Sequence, residues 1–439
     1  MKKSQRKKWN GILRSLKVFA FGGTMAVLCV IGLLWFLRPE TSVLEKRDLT
    51  AFPSLHWSSF WDGSFFHELD TWYADTYPLR EGLIAGSQAM EARYGLRRDQ
   101  IVGENMVADD IPMDGEPTPA EPVSLFVEEP EGGLADGTVT ELGELQGQIY
   151  ITNNCGYGLY YFNQEGADGF AATMNQVYQN VKDKVNLYVL VCPISAGVML
   201  DQRVLEDMKC SDEGAAIDYM YQRMDPGIHT IAAFDRLKKH NAEYIYFHTD
   251  HHWTALGAYY AYMEFCKEKG IAAHKVEDYE TVEFPDFLGT FYANSRNSPA
   301  LAANPDTVIG YLPKGTNTMM MTDKEGNLNQ WKIVNDVSSY PKSERYAAFA
   351  GGDKAFSYAH NESLADGSAV LVVKDSYGNA LIPWLVDHYE YVYWVDVRYT
   401  SNTISQMVAD YGIQDVIYQS QIYNASTTKL LAKYAAIGQ

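Results

Sequence analysis

The sequence predicts an α/β protein with a central, mainly parallel sheet, carried behind an N-terminal transmembrane helix. Three observations lead there. Asn186 to Cys192 (NLYVLVC) is a near-continuous apolar run ended by Pro193, the pattern of a strand buried on both faces. From residue 369 onward, short apolar runs alternate with helical segments of about ten residues, the rhythm of parallel strands joined by helices. Val18 to Leu37 holds twenty residues without a charge. At a rise of about 1.5 Å per residue it spans about 30 Å, the depth of a bilayer core.

The first 17 residues carry seven Lys/Arg and no acid, so the positive-inside rule keeps that tail cytoplasmic and places the rest outside. No small-x-small cleavage site follows Leu37, where Arg38-Pro39-Glu40 stands instead, so the segment reads as an uncleaved anchor and not as a signal peptide. Beyond it, 29 bases face 56 acids. An ectodomain that acidic is a poor partner for a phosphate backbone, which excludes nucleic acid. Cys155, Cys192, Cys210 and Cys266 are scattered, with no C-x-x-C pair, and read as buried thiols or an incidental bridge.

Residues 38–103 read as a stalk passing into a helical approach segment, with helical spacing from Phe65 to Tyr73 and again through Tyr94. Residues 104–144 contain twelve Asp/Glu, five Pro and no Lys/Arg, a composition that cannot bury enough surface to offset ordering entropy. A flexible acidic loop over 104–145 follows, and an α/β domain over 146–439. Within that domain the pattern predicts a helix over 170–181 and a second strand over 228–235. A helix over 254–269 stops at Gly270, and residues 275–345 form an irregular β insertion. A strand over 369–373, a helix over 378–388, a strand over 391–397, a helix over 401–411 and a last strand from Asp415 complete it.

Two motifs fall where strands of a parallel sheet end, the place where such folds bind ligands. They are Thr249-Asp250-His251-His252-Trp253 and Lys374-Asp375-Ser376-Tyr377-Gly378-Asn379. A serine at a strand-to-helix turn needs an imidazole to take its proton, and the imidazole needs a carboxylate to fix its tautomer. Asp250 and His252 are two apart, so an extended segment would turn them to one side and His251 to the other. The triad expected is Ser376, His252 and Asp250. Tyr377 N–H and Asn379 are candidate oxyanion donors, Trp253 a candidate stacking surface for a ligand, and Arg398 either a site residue or a partner for Asp396. Structural readings compete: Asp375 as a helix cap, Asp250 or Thr249 as the cap of the helix from 254, and satisfied core histidines. His248, Asp250 and His252 would also alternate toward a metal, though the chain contains no Asp-x-Asp.

These motifs resemble the bacterial DHHW-motif family, which is similar to the alginate O-acetyltransferases AlgX and AlgJ of the SGNH-hydrolase-like group. The resemblance extends to Phe52-Pro53, Tyr77-Pro78-Leu79-Arg80, Phe287 to Tyr292, Lys374 to Asn379 and Asp396 to Tyr399. It implies an SGNH-like three-layer domain, circularly permuted because Asp250 and His252 precede Ser376. The implied activity is transfer of an acyl group, most simply acetyl, to an exported or cell-surface polysaccharide, with Asp250, His252 and Ser376 as its triad. It implies no cofactor and, as partner, a membrane-bound acyl carrier, since acetyl-CoA is cytoplasmic. An esterase with the same triad and a non-catalytic wall-binding protein are the other readings.

Overall fold

The computed structural model describes residues 149–439 except 324, residues 108–112 and 134–146, and scattered positions between 23 and 78. The basic tail, nearly all of the anchor over 18–37, the helical run through Tyr94 and most of the acidic loop lie outside the described residues. Among the described residues, no helix is long and apolar enough to cross a membrane. The chain divides into two compact units, 1–99 and 100–439. In the first, the Arg38 guanidinium lies 4.0 Å over the Trp72 ring and donates to Thr76 Oγ1 at 2.7 Å. Phe52 meets Trp72 edge-on at 4.8 Å.

The second unit is organised by an eight-stranded sheet. Its strands, in chain order, are β1 (Asn186–Cys192), β2 (His229–Thr230), β3 (Thr318–Thr322), β4 (Leu328–Lys332), β5 (Ser357–His360), β6 (Ala369–Lys374), β7 (Tyr391–Asp396) and β8 (Asp415–Gln421). Their spatial order is β4-β3-β5-β7-β6-β8-β1-β2. Pairing is parallel from β7 to β2 and antiparallel from β4 to β7. The sheet is therefore mixed, with five parallel strands and a three-stranded antiparallel wing. The sequence reading missed that wing. It treated 275–345 as an irregular β insertion, whereas β3 pairs antiparallel with β5 and brings β4 with it, Met319 of β3 being buried.

Register shows how both faces are covered. Ile417 pairs with Tyr188, and Tyr418 with Val189, so Tyr188 and Tyr418 point to opposite faces. Tyr188 meets Phe265 of helix Ala255–Lys269. Tyr418 donates to the carbonyl of Tyr434 in helix Thr428–Ile437, which packs on helix Gln164–Val181. All six residues of β6 are buried, consistent with a central strand, each large apolar side chain contributing about 1.5–3 kcal/mol.

Differences from the sequence reading are local. The strand expected over 228–235 is only His229–Thr230, because helix Phe234–Lys239 takes up the end of that range. The helix expected over 378–388 is a 3₁₀ turn, Ser376–Ala380, followed by a short helix Ile382–Leu385 with Pro383 in its first turn. Pairing begins at Glu144, inside the stretch expected as a flexible loop. Glu144–Gln146 joins Ile149–Thr152 and Cys155–Gly158 in a small antiparallel sheet, and Asn241 Oδ1 accepts from Gly137 N. Cys155, Cys192, Cys210 and Cys266 are free thiols.

Candidate active site

Ser376 stands immediately past β6, between β7 and β8, at the C-terminal ends of the parallel strands. Asp375 makes the turn. Its Oδ1 accepts from Tyr377 N at 3.0 Å and Gln419 Nε2 at 3.0 Å, and its Oδ2 from Gln421 N at 2.7 Å and Asn424 Nδ2 at 2.8 Å. The cap reading and the nucleophile position are thus adjacent residues, Asp375 closing the turn and Ser376 projecting from it.

Facing it is the loop after Tyr246. Tyr246 and Trp253 pair antiparallel, and Phe247 N donates to His252 O at 3.2 Å, so residues 248–252 reverse direction within five positions. Asp306 ties the loop down from beneath. Buried completely, it accepts from His248 N (2.8 Å), Thr249 N (2.8 Å), Thr249 Oγ1 (2.5 Å) and Tyr244 Oη (2.6 Å). Thr254, and neither Asp250 nor Thr249, caps the following helix through Gly257 N.

The structure brings Ser376, His252 and Asp250 into one hydrogen-bonded line. His252 Nε2 lies 2.8 Å from Ser376 Oγ, and His252 Nδ1 2.5 Å from Asp250 Oδ1. Asp250 also accepts His252 N at 3.1 Å, an Asx turn, and its other oxygen takes Thr290 N at 2.7 Å and Thr290 Oγ1 at 3.0 Å. A carboxylate can only accept, so the proton between it and His252 sits on Nδ1, and Nε2 is left to accept from the serine. Burial alone would raise the Asp250 carboxyl, but the His252 and His251 rings, the His252 hydrogen bond and Thr290 N–H hold it well below the carboxylate range.

Gly289 makes that geometry fit. A Cβ there would lie 2.3 Å from Asp250 Cβ and Oδ2, closer than side chains tolerate. Glycine at 289 lets Thr290 approach the carboxylate from the side away from His252.

His251 departs from expectation. Its ring lies 3.7 Å from that of His252, and its Nδ1 is 2.6 Å from Thr290 Oγ1. The alternation argument assumed an extended strand, whereas the Asx turn bends the loop and sets both rings side by side. The Thr290 hydroxyl proton goes to Asp250, so His251 Nδ1 carries a proton and donates. Ligand atoms of Asp250, His251 and His252 lie within 4.8 Å of one another, and His248 is not among them. A 2.5 Å separation of Asp250 Oδ1 and His252 Nδ1 suits a shared proton. Two ligands on one tetrahedral zinc would stand about 3.4 Å apart. The donor set as arranged fits a proton and not a metal.

Three other expected residues serve the frame. Trp253 is 0% exposed, with Nε1 donating to Tyr377 O at 2.9 Å, so it braces the Ser376 turn and offers no surface to a sugar. Tyr377 N–H is occupied by Asp375, and its hydroxyl donates to His251 O. Arg398 forks onto Asp396, Nε to Oδ1 at 2.9 Å and Nη2 to Oδ2 at 2.7 Å, and reaches Asp353 Oδ2 at 2.7 Å. Burial works against the guanidinium's charge, but Asp396 and Asp353 raise its pKa above the ordinary value.

Two residues escaped the sequence reading. The Tyr346 ring stacks on His252, and its hydroxyl donates to Ser376 O at 2.9 Å. Asp353 sits between Arg398, Lys374 (3.6 Å) and Asn379 Nδ2 (2.9 Å). Burial would raise its carboxyl, but Lys374 and Arg398, with Asn379 and His252, hold it below its usual range. Asn379 Oδ1 is buried with no hydrogen-bond partner. Neither Tyr346 nor Asp353 lies in a motif, and only the 3₁₀ turn Lys342–Ala348 and the loop after it bring them in.

The DHHW protein family matches residues 45–117 and 127–395 of this chain. No curated protein matches it. Among solved structures, a DHHW family protein from Eubacterium siraeum DSM 15702 shares 26% identity at a TM-score of 0.58, covering 69% of this chain and 97% of that one. Bacillus cereus PatB1, solved with a sulfonyl adduct, is alike in fold at 17% identity and a TM-score of 0.53, covering 64% and 96%. The O-acetyltransferase domain of Pseudomonas putida AlgJ gives 11% identity and a TM-score of 0.35, covering 69% and 98%. With most of its length matched, from the approach segment through Ser376 to β7, this chain belongs to the DHHW protein family.

Proposed function

We propose that this protein is an SGNH-like serine O-acyltransferase, most simply an acetyltransferase, acting outside the cytoplasm on a cell-surface or exported polysaccharide. The observation that carries the reading is the line Ser376 Oγ, His252 Nε2, His252 Nδ1, Asp250 Oδ1. His252 Nε2 takes the serine proton as Ser376 Oγ attacks the acyl carbonyl of the donor. The tetrahedral intermediate collapses, the donor's leaving oxygen takes the proton from Nε2, and the acyl group stays on Ser376. An acceptor hydroxyl then gives its proton to Nε2 and attacks the acyl carbon, and Ser376 leaves with the proton restored. Asp250 remains a carboxylate throughout and steadies the imidazolium. The Ser376 N–H, which has no protein partner among the described residues, faces the developing oxyanion in this scheme.

The twenty-residue apolar stretch behind seven cations supports an anchor and an outside location, and hence an acyl donor delivered through the membrane by a partner protein. The test is intact-mass analysis of the full chain with 4-nitrophenyl acetate: a single acetyl adduct expected on Ser376, and absent in Ser376→Ala. Adding a sugar acceptor should move the acetyl to a hydroxyl. Release to water alone would make the protein an esterase, and no adduct at all would leave it a binder.

A further inference from the structure

We propose that the antiparallel wing of the sheet carries a second, non-catalytic site that binds a neutral glycan chain. The proposal rests on the transferase reading for its purpose and on separate residues for its geometry. One face of the wing presents His360 opposite Tyr391 and Tyr358 opposite Tyr393. The rings are near-parallel: His360 to Tyr391 at 4.3 Å and 3°, Tyr391 to Tyr393 at 5.9 Å and 8°, and Tyr393 to Tyr411 at 4.7 Å and 24°. Tyr411, from helix Ile404–Tyr411, is 41% exposed.

A cavity of about 400 Å³ opens beside this row, lined among others by Thr316, Thr318, Tyr358, His360 and Glu362. Its rim is fixed by a close approach of two loops. A Cβ on Gly315 would lie 2.2 Å from Asn361 Nδ2, and Gly315 N donates to Asp387 Oδ1 at 2.7 Å.

The chemistry selects a glycan. The hydroxyls of Tyr358, Tyr391, Tyr393 and Tyr411 make no hydrogen bond to the protein among the described residues. Buried tyrosine hydroxyls elsewhere in the unit do so repeatedly, as in Tyr246 to Pro193 O and Tyr389 to Asp415. Each free hydroxyl can both donate and accept, matching a sugar hydroxyl in either role, while the Met320 side chain gives apolar contact for C–H groups. No Lys or Arg lines the cavity and Glu362 does, with Glu390 3.5 Å from His360 behind it. A polyuronate is therefore disfavoured by charge. An extended peptide would want the open backbone of edge strand β4, whereas this face offers side chains.

Placement gives the site its use. Tyr391 begins β7 and Asp396, level with Lys374, ends it, so along the strand Tyr391 and His360 lie about 17 Å, and Tyr393 and Tyr358 about 10 Å, from the Ser376 end. A ligand touching both must be a polymer. The site would hold a long acceptor and leave short ones unaffected.

The experiment uses the full chain in detergent on a panel of immobilised neutral hexasaccharides, of hexose and of N-acetylhexosamine type, with polygalacturonate as the anionic control. Binding to at least one neutral member is expected. It should weaken at least tenfold in Tyr358→Ala and Tyr391→Ala, and several-fold in Tyr391→Phe, which keeps the ring and loses the hydroxyl. Turnover of 4-nitrophenyl acetate should be unchanged in all three. No neutral binding, binding indifferent to these variants, or binding of polygalacturonate alone overturns the proposal. Absent turnover of the ester by the unsubstituted chain would instead sink the transferase reading, whatever the panel shows.

Discussion

The ring of Tyr346 lies parallel to the imidazole of His252, 3.8 Å between centroids and 9° between planes, while its hydroxyl holds the carbonyl of Ser376. One side chain from a 3₁₀ turn thus supports both ends of the proposed proton path. With Asp250 fixing Nδ1, the imidazole has no freedom to swing away from the serine.

For the triad, Ser376→Ala and His252→Ala should each remove the acetyl adduct while leaving the thermal unfolding midpoint within a few degrees. Asp250→Asn should lower the acylation rate on the order of 10⁴-fold, since the wrong tautomer would face Ser376. Pre-steady-state release of 4-nitrophenol reads both. An adduct of normal rate in His252→Ala would remove the imidazole from the mechanism.

Gly289→Ala should be an activity variant at a distance. Its Cβ would meet Asp250 at 2.3 Å and must displace the carboxylate or Thr290. A shift of about 1 Å in a positioned group costs about 10²-fold. The acylation rate of this variant should fall by that order, and an unchanged rate would mean the carboxylate's placement is not limiting.

Tyr346 separates ring from hydroxyl. Tyr346→Ala should destabilise by about 3–5 kcal/mol by opening a cavity beside His252. Tyr346→Phe keeps the stacking and should cost only about 1 kcal/mol for the hydrogen bond. Urea unfolding of the two variants gives the comparison, with equal losses contradicting a supporting role for the ring.

His388 sets an acid limit. Its Nε2 lies 2.5 Å from Tyr262 Oη, and burial, aided by His274 and Lys269 against Asp387, lowers its pKa from 6.5 to about 4. Between those values the unfolded chain binds the proton and the folded one does not, so this contribution is complete above about pH 6.5 and declines as the pH falls toward 4. The urea midpoint should drop across that window, and His388→Phe should flatten the drop. An equally steep decline in the variant would assign the loss to other groups.

How legible this was depends on where each constraint acts. β1 and β6 announce themselves because a strand buried on both faces must be apolar throughout. The residue types of the site were legible too, because serine, imidazole and carboxylate have few chemical reasons to meet at strand ends. The turn of the Asp250 loop was not. Its course is dictated by Asp306, more than fifty residues downstream, whose carboxylate gathers three of its groups. Trp253 looked like a surface aromatic for the same reason, since its partner, the Tyr377 carbonyl, is 124 residues away. Spacing reports what one segment does alone, and the misreadings of the Asp250 loop and of Trp253 fall where a distant segment decides.

Asp375 has one further consequence. Its four acceptor bonds, to Tyr377, Gln419, Gln421 and Asn424, fasten the turn without using the Ser376 hydroxyl. Asp250 likewise keeps Thr290 and His252 in place from the other side. A descendant that lost the hydroxyl at 376 would keep every one of these bonds and fold as before. The architecture therefore uncouples survival of the fold from survival of the proposed chemistry, which rests on a single oxygen atom.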